Sequence, residues 1–287
     1  MPWTNYHSHT NFSDGSDQPK VYIEEAIRKG MWAYGFSCHA PVPFKNSWSM
    51  QAENMQQYFL EINRLKDAYS STIKIHASLE IDYIPGITGP ADPLFTKYPL
   101  DYKIGSVHFV GCFEDGYPWG IDGSEALFEE GMQKIWRGDA RKAVQTYFQI
   151  LSEMISTAKP DIIAHFDKIR MHNEGNLYFS EEDNWYRLEV LDSLELIRSS
   201  KCLLEVNTRG MYRGNKKEPY PSLWILKEAA KMKIPIVMNS DAHKPHESTG
   251  HFTETSALLI ECGYRKLHNL ISGSWEPISF NSNGIFL

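Results

Sequence analysis

Short β-rich runs alternate with longer segments of helical periodicity along most of the chain, and this alternation constrains the fold more than any other feature. Strands that alternate with helices are typical of βαβ units with parallel strands. The candidate strands are 5–9 (NYHSH), 33–39 (AYGFSCH), 73–82 (IKIHASLEID), 102–109 (YKIGSVHF), 161–167 (DIIAHFD), 202–208 (CLLEVNT) and 235–243 (PIVMNSDAH), and the candidate helices are 19–30, 52–69, 139–158, 182–200 and 222–232.

Two α/β architectures fit this alternation, a doubly wound open sheet and a closed barrel. Polar residues lie at or near the C-terminal ends of the candidate strands, where both architectures build their sites. Only a closed barrel brings all seven strand ends to one point, and no linker interrupts the chain. We therefore predict a single domain over 1–287, a distorted TIM-like barrel. Segments 83–101, rich in Pro and Gly, and 110–138, rich in aromatic and acidic residues, are predicted to be long loops at the active end.

Composition excludes several classes of function. The formal net charge is -7 and no block of Lys and Arg occurs, so binding along a nucleic-acid backbone is not indicated. No apolar run reaches the roughly 20 residues of a membrane helix. The four cysteines form no C-x-x-C pair, which predicts a reduced, cytoplasmic protein without a disulfide framework. A small-molecule substrate fits best, and the sequence does not predict an oligomeric state.

Imidazole and carboxylate side chains recur at the strand ends. His7 and His9 are two residues apart and so face the same way from a strand, and Asp241 and His243 repeat that spacing. If a barrel closes, its first and seventh strands are neighbours, which brings the two pairs together. These side chains are ligands of choice for divalent metals. The remaining strand-end candidates are His39, Glu80, His108 and His165, whereas His76, His172, His246, His251 and His268 have no such placement and are expected to be structural.

Six ordered motifs spanning 7–243 resemble those of the PHP (polymerase and histidinol phosphatase) superfamily of metal-dependent phosphoesterases. This resemblance implies a distorted (β/α)7 barrel with a trinuclear metal site at the C-terminal ends of its strands. The motifs are HSHT (7–10), SCHAP (37–41), SLEID (78–82), GSVHF (105–109), AHFD (164–167) and NSDAH (239–243).

The resemblance also implies a set of metal ligands for two or three ions of Zn, Mn or Fe. It assigns the third metal partly to Asp14, at a position where relatives vary between an acidic residue and His. Carried over by motif, the first metal is held by His7, His9, Glu80 and Asp241, the second by Glu80, His108 and His165, and the third by His39, His243 and Asp14.

The activity implied by the resemblance is hydrolysis of a phosphate monoester through a metal-bridging hydroxide. IGSVHF followed by WGID at 119–122 is most similar to the histidinol-phosphate phosphatase branch, which implies conversion of L-histidinol phosphate to L-histidinol and phosphate in histidine biosynthesis. Charge on the phosphoryl oxygens needs a cationic clamp. Arg209, just after the sixth strand, is the first candidate for this clamp and Arg170 is the second.

Substrate selection is expected in the long loops. Histidinol phosphate carries an amine and an imidazole, which suit a carboxylate and an aromatic face. Asp122 is the acidic residue that we expect to select the substrate, and Tyr117 and Trp119 are candidates for ring contacts. The sequence does not identify a general acid.

Two other functions fit the same motifs. A PHP phosphoesterase acting on nucleotides, nucleoside bisphosphates or phosphotyrosine would use nearly the same metal ligands. A non-catalytic metal-binding PHP module would also retain some of them, although the set of candidate ligands in this chain is complete.

Overall fold

The structure, a computed structural model, describes residues 2–214 and 217–286. Within these ranges the strands are β1 (Thr4–Asn5), β2 (Ala33–Phe36), β3 (Lys74–Ala77), β4 (Glu80–Asp82), β5 (Ile104–Ser106), β6 (Phe109–Cys112), β7 (Pro118–Gly120), β8 (Ile162–Ile163), β9 (Leu203–Asn207), β10 (Ile236–Asn239), β11 (Lys266–Ile271), β12 (Ser274–Asn281) and β13 (Gly284–Ile285). The helices are α1 (Pro19–Arg28), α2 (Met55–Ala68), α3 (Pro93–Thr96), α4 (Glu125–Lys134), α5 (Ala140–Glu153), α6 (Asn184–Ser200), α7 (Arg209–Arg213), α8 (Leu223–Lys231) and α9 (Phe252–Cys262).

Parallel strands form two sheets that join into a ring. One sheet has the order β1-β2-β3 and the other the order β10-β9-β8-β5-β4. Parallel bridges link them, from His39 to Glu80 on one side and from Ser8 to Ala242 on the other. The predicted distorted barrel is therefore confirmed. The third predicted strand, 73–82, divides into β3 and β4, so that it pairs with β2 along its first half and with β5 along its second.

The helices begin and end where local chemistry favours it. Pro19 stands in the first turn of α1, where its missing N–H is not needed, and the Asp139 side chain accepts a hydrogen bond from the Lys142 amide to cap α5. Gly263, with φ of 108°, ends α9 in a conformation that favours glycine. The buried faces of α5, α6, α8 and α9 pack on the outer side of the barrel. Each large apolar side chain buried there contributes about 1.5–3 kcal/mol.

The lower part of the barrel interior is apolar. Ile104, Ile162 and Leu203 are register partners on adjacent strands, and they share one buried cluster with Val237. Tyr102 fills space beside β2, where a Cβ on Gly35 would lie 2.0 Å from the Tyr102 hydroxyl. Position 35 therefore requires glycine, because the tyrosine ring occupies the volume of any larger side chain.

The C-terminal residues form an antiparallel sheet, β11-β12-β13, that the sequence analysis did not anticipate. It closes the base of the barrel: Thr4 donates from its hydroxyl to Asn269 Oδ1 over 2.6 Å, and the Leu270 amide donates to the Tyr6 hydroxyl. Pro277, a residue that strand interiors usually exclude, interrupts the pattern on β12, so alternation alone does not mark these strands.

The two long segments predicted as loops differ from each other. Residues 83–101 are mainly loop with the short helix α3. Segment 110–138, in contrast, is not a loop, because it folds as the β6–β7 hairpin followed by α4. The Ser124 hydroxyl accepts from the Leu127 amide and starts that helix. No helix in the described ranges has the length and apolar content needed to cross a membrane.

His76 on β3 supports a prediction about stability and pH. Burial lowers the pKa of His76 to about 4, from a usual value of about 6.5, because its ring packs against Tyr6 and Tyr102. The unfolded chain therefore binds a proton at His76 more readily than the folded chain does. As a result, the free energy of unfolding falls as pH drops from about 6.5 towards 4. This contribution is roughly 2 to 3 kcal/mol at pH 4.5. We expect His76→Phe to remove it, as measured by urea unfolding at pH 7.5 and 4.5.

The matched control is His251→Asn, at an exposed histidine whose positive φ asparagine tolerates. This variant should lose as much stability between the two pH values as the wild-type protein. An equal loss in wild type and His76→Phe would show that His76 does not titrate as proposed.

Candidate metal centre

The nine predicted ligands converge at the C-terminal ends of the barrel strands. The parallel arrangement of the strands explains this, because it places every strand end at the same mouth. His7 and His9 follow β1, Asp14 lies in the next turn, His39 follows β2, Glu80 opens β4, His108 follows β5, His165 follows β8, and Asp241 and His243 follow β10.

Four of these side chains surround one point. His7 Nε2 lies 3.2 Å from Glu80 Oε2, and His9 Nε2 lies 3.2 Å from Asp241 Oδ1. The two cross distances are 3.5 Å, from His9 Nε2 to Glu80 Oε2, and 3.7 Å, from His7 Nε2 to Asp241 Oδ1. Ligands about 2.1 Å from a tetrahedral metal stand about 3.4 Å from one another. The spacing of the four atoms therefore suits one divalent ion.

Glu80 connects this group to further histidines. Its Oε1 lies 2.9 Å from His165 Nε2 and 3.8 Å from His108 Nε2, whereas its Oε2 lies 3.0 Å from His39 Nδ1. The two oxygens of one carboxylate thus face different imidazoles. This arrangement would allow each oxygen of Glu80 to help hold a different ion.

Asp14 forms the third group. Its Oδ2 lies 3.0 Å from His243 Nε2, and its Oδ1 lies 3.8 Å from His9 Nδ1 and 3.9 Å from His39 Nε2. His39 therefore stands between Glu80 and Asp14, presenting one ring nitrogen to each. The structure brings Asp14 to the cluster, as the resemblance implies.

Buried polar atoms in this cluster lack hydrogen-bond partners among the described residues. Buried imidazole and carboxylate atoms are normally satisfied, so a concentration of unsatisfied ones at one place calls for a bound group. Their chemistry, neutral imidazole nitrogen and carboxylate oxygen, fits divalent Zn, Mn or Fe. The atoms are His7 Nε2, His9 Nδ1 and Nε2, His39 Nδ1, His165 Nδ1 and Asp241 Oδ1.

The electrostatics of the cluster keep its carboxylates ionised. Burial opposes ionisation of Glu80 and Asp241, yet the neighbouring His39 and His7 hold the pKa of Glu80 well below its usual range, and His7 and Arg209 do the same for the pKa of Asp241. Ionised carboxylates are the form that binds metals.

An outer layer of side chains orients the candidate ligands. Glu205 Oε1 lies 2.7 Å from His7 Nδ1 and accepts a hydrogen bond from Asn239, while Glu205 Oε2 accepts from the His165 amide. Asp82 Oδ1 lies 2.8 Å from His108 Nδ1. Such contacts fix which ring nitrogen is left to face a metal.

Neither of these two carboxylates, Asp82 and Glu205, is among the candidates predicted from the sequence. Each left a signal, because Asp82 is two residues from Glu80 and Glu205 is two residues from Asn207, so each pair shares a strand face. Two candidate ligands also have unusual backbone conformations, with φ of 22° at His165 and 52° at Asp241. Positive φ values in residues other than glycine are concentrated at functional sites.

A cavity of about 600 Å³ opens above the cluster. Arg209 lines it, and its Nη1 donates to the Asp241 carbonyl over 2.8 Å and lies 2.5 Å from His243 Nδ1. Lys168, buried and absent from the ion pairs found in the described part of the chain, also lines the cavity. Its side chain therefore supplies a positive charge that the sequence analysis did not identify.

Arg170 lies elsewhere. Its guanidinium bonds Asp167 over 2.6 Å, Glu218 over 3.1 Å and the Pro219 carbonyl over 2.9 Å, and Arg170 is not among the described residues that line the cavity. These contacts favour a structural role for Arg170, which anchors the chain before α8. On the single turn Lys168–Arg170, the lysine faces the site and the arginine faces away.

The three candidate residues of segment 110–138 occupy different positions relative to the cavity. Asp122 lines the cavity, with Oδ2 3.6 Å from His108 Nε2, and nearby His108 and Lys168 hold its pKa below the usual value although the cavity wall shields it partly from water. The indole of Trp119 is buried against Phe128 and donates to the Leu127 carbonyl, so its face is unavailable to a ligand, contrary to expectation. Tyr117 is 42% exposed at the rim.

Comparison with known proteins agrees with this geometry. A family model described as the PHP domain matches residues 5–209. Histidinol-phosphatase from Bacillus subtilis is 30% identical over 254 residues, covering 83% of this chain and 92% of that protein. Probable histidinol-phosphatase from Deinococcus radiodurans is 27% identical over 262 residues, covering 90% of this chain and 93% of that protein.

A solved structure has the same fold. It is histidinol phosphate phosphatase from Lactococcus lactis, crystallised with zinc, L-histidinol and phosphate; it superposes with a TM-score of 0.72 at 21% identity and covers 99% of both chains. The matched family model spans well over half of the chain, and the barrel and the clustered histidines are those that its motifs imply. The chain belongs to the PHP domain family.

Proposed function

We propose that this protein is a metal-dependent phosphatase that hydrolyses L-histidinol phosphate to L-histidinol and phosphate. The proposal depends chiefly on one observation: at the floor of the cavity, the two oxygens of Glu80 face separate groups of histidines. Curated relatives named as histidinol-phosphatases cover most of this chain, and the Lactococcus lactis structure holds L-histidinol and phosphate. Both support the substrate.

We assign the candidate ligands to two or three divalent ions, of Zn, Mn or Fe. When bound, the metals would act as Lewis acids and lower the pKa of water enough to provide a nucleophile near neutral pH. The first ion would be held by His7, His9, Glu80 and Asp241, the second by Glu80, His108 and His165, and the third by Asp14, His39 and His243.

The chain's own cations would hold the phosphoryl group. Arg209 and Lys168 both line the cavity beside the cluster, and positive charge fixed in advance stabilises the charge on phosphoryl oxygens. Arg209 is held in place by the Asp241 carbonyl, so its orientation does not depend on substrate. The carboxylate of Asp122, at the cavity wall, would receive the substrate amine.

The reaction fits a biosynthetic phosphatase of the cytoplasm, in the pathway that makes histidine. All four cysteines are free thiols, consistent with a reducing compartment. The partner of the protein in this proposal is the small phosphate ester alone.

The substrate is tested with a panel of phosphate monoesters in the presence of Mn²⁺, Zn²⁺ or Fe²⁺. We expect kcat/KM for L-histidinol phosphate to exceed that for nucleotides, nucleoside bisphosphates and phosphotyrosine by at least about 100-fold, because the cavity wall offers both a carboxylate and aromatic rings. Highest activity on nucleotides would overturn the proposal in favour of a different phosphoesterase.

The metal assignment is tested with Glu80→Gln. Removal of the charge from the shared carboxylate should reduce metal content per chain, measured by elemental analysis, and lower kcat by at least about 100-fold. The control is Glu254→Gln, at a carboxylate that is 61% exposed and remote from the cluster. A Glu80→Gln protein with full metal content and activity would remove Glu80 from the centre.

The outer layer generates a separate prediction. In Glu205→Gln an amide group replaces one of two oxygens that each accept two hydrogen bonds, so two donors of the site lose their acceptor. We expect metal affinity to fall about 10- to 100-fold, measured by competition with a chelator. Glu195→Gln, an exposed change on α6, is the control and should bind metal as the wild-type protein does. Equal affinity in both variants would contradict an orienting role.

The role of Asp122 is tested with Asp122→Asn. If the carboxylate receives the substrate amine, KM for histidinol phosphate should rise about 10-fold while KM for propyl phosphate, which has no amine, stays within twofold. Because Asp122 also lies near His108, metal content is measured in the same preparation. An equal effect on both substrates would exclude Asp122 as the residue that selects the amine.

A further inference from the structure

An aromatic wall borders the cavity on the side of β2. It consists of the turn 44–48 and the facing β6–β7 hairpin. The ring of Phe44 lies 5.3 Å from that of Phe109 and 5.4 Å from that of Tyr117, and the ring of Trp48 lies 5.9 Å from that of Phe109. Trp48 and Phe109 line the cavity. Aromatic rings at these separations stabilise one another and hold the wall in one arrangement.

The turn that presents Trp48 is fixed by Asn46. The Asn46 side-chain oxygen accepts hydrogen bonds from the Trp48 amide over 3.0 Å and from the Ser49 amide over 2.7 Å, and its amide nitrogen donates to the Phe44 carbonyl. This is the way in which asparagine side chains close turns. Trp48 is therefore held in place before any substrate arrives.

The indole of Trp48 touches the metal cluster. Its ring packs edge-on against His39 with 5.1 Å between the ring centres, and His39 Nδ1 lies 3.0 Å from Glu80 Oε2. In histidinol phosphate, four bonds separate the ester oxygen from the imidazole, a span of about 5–6 Å. A ring platform for this substrate must lie at about that distance from the reacting phosphorus, and Trp48 is a large aromatic side chain that contacts the cluster through His39 and lines the cavity.

From these contacts we propose that Trp48 is a specificity-determining residue, on whose indole the flat ring of the leaving alcohol lies during hydrolysis. This proposal rests on the phosphatase function proposed above and adds to it a preference for esters with a flat ring at the end of a three-carbon chain. Stacking, and cation–π attraction when the imidazole is protonated, provide the affinity. Opposite charges then place the amine towards Asp122.

The neighbouring aromatics are less suited to this role. Trp119 is buried with its indole N–H bonded to a carbonyl, and Tyr117 is at the outer rim, where its hydroxyl donates to the Lys45 carbonyl. Phe109 contacts Trp48 from the side of the hairpin and supports it.

The test compares two substrates that differ only in the ring. These are 3-phenylpropyl phosphate, whose ring is four bonds from the ester oxygen as in histidinol phosphate, and propyl phosphate, which has none. We expect Trp48→Leu to raise KM for histidinol phosphate and for 3-phenylpropyl phosphate about 5- to 10-fold, with kcat little changed, and to leave propyl phosphate within twofold. Trp48→Phe, which keeps a smaller ring, should retain most of the preference.

The control variant is Trp185→Leu, the same exchange at a half-buried tryptophan that is not among the described residues lining the cavity, and it should leave the ratio between the two esters unchanged. An equal loss of activity on both esters in Trp48→Leu would overturn the proposal, since it would mean that Trp48 only supports His39. Failure of the wild-type protein to hydrolyse histidinol phosphate would instead refute the proposed function, while the ring preference is still measured with the two synthetic esters.

Binding without turnover provides a second measurement. Calorimetric titration of L-histidinol into the metal-loaded protein with inorganic phosphate should show about 5- to 10-fold weaker binding to Trp48→Leu than to wild type. Unchanged affinity for L-histidinol would overturn the proposal even if the esters were not turned over.

Discussion

The carboxylate of Glu80 is the group on which the arrangement of the site depends. It stands at the point where the third strand of the barrel stops pairing with β2 and starts pairing with β5, and the bridge from His39 to Glu80 is made there. An uninterrupted strand would have kept one neighbouring strand on each side, and its side chains would simply have alternated between the two faces of the sheet. The break turns one buried carboxylate towards histidines from both halves of the barrel.

The layers below the site explain how so many polar groups can be buried. Leu203 lies in the apolar base of the barrel, Glu205 in the layer above and Asn207 higher still, all on one face of β9. Glu205 accepts hydrogen bonds from several donors, and Asn207 donates to Asp241. The side chains on this face thus become more polar from the base of the barrel to its mouth, and the polar ones are hydrogen-bonded to side chains of neighbouring layers. A network of this kind fixes the histidine rings more firmly than packing alone.

The sequence revealed those parts of the protein that depend on periodicity. Alternation of strands and helices predicts the barrel, and side chains two residues apart on strands predict which histidines meet, as for His7 and His9. Periodicity does not apply to single turns and irregular loops, which is why Arg170 was chosen there although Lys168 faces the cavity. Trp48 was missed for the same reason, since only the folded turn brings it against His39. The outer carboxylates were overlooked because their partners lie far away in sequence.

The hydrogen bond from the Ile285 amide to the Pro2 carbonyl joins residues near the two ends of the described chain, and Thr4 meets Asn269 in the same region. β1 is therefore held between β2, β10 and the C-terminal sheet, so its environment is complete only after nearly all of the chain is present. Contacts so distant in sequence form late and slowly. A growing polypeptide that ends before β10 carries only part of the candidate ligand set, so the complete set assembles only after the last strand of the barrel has been made.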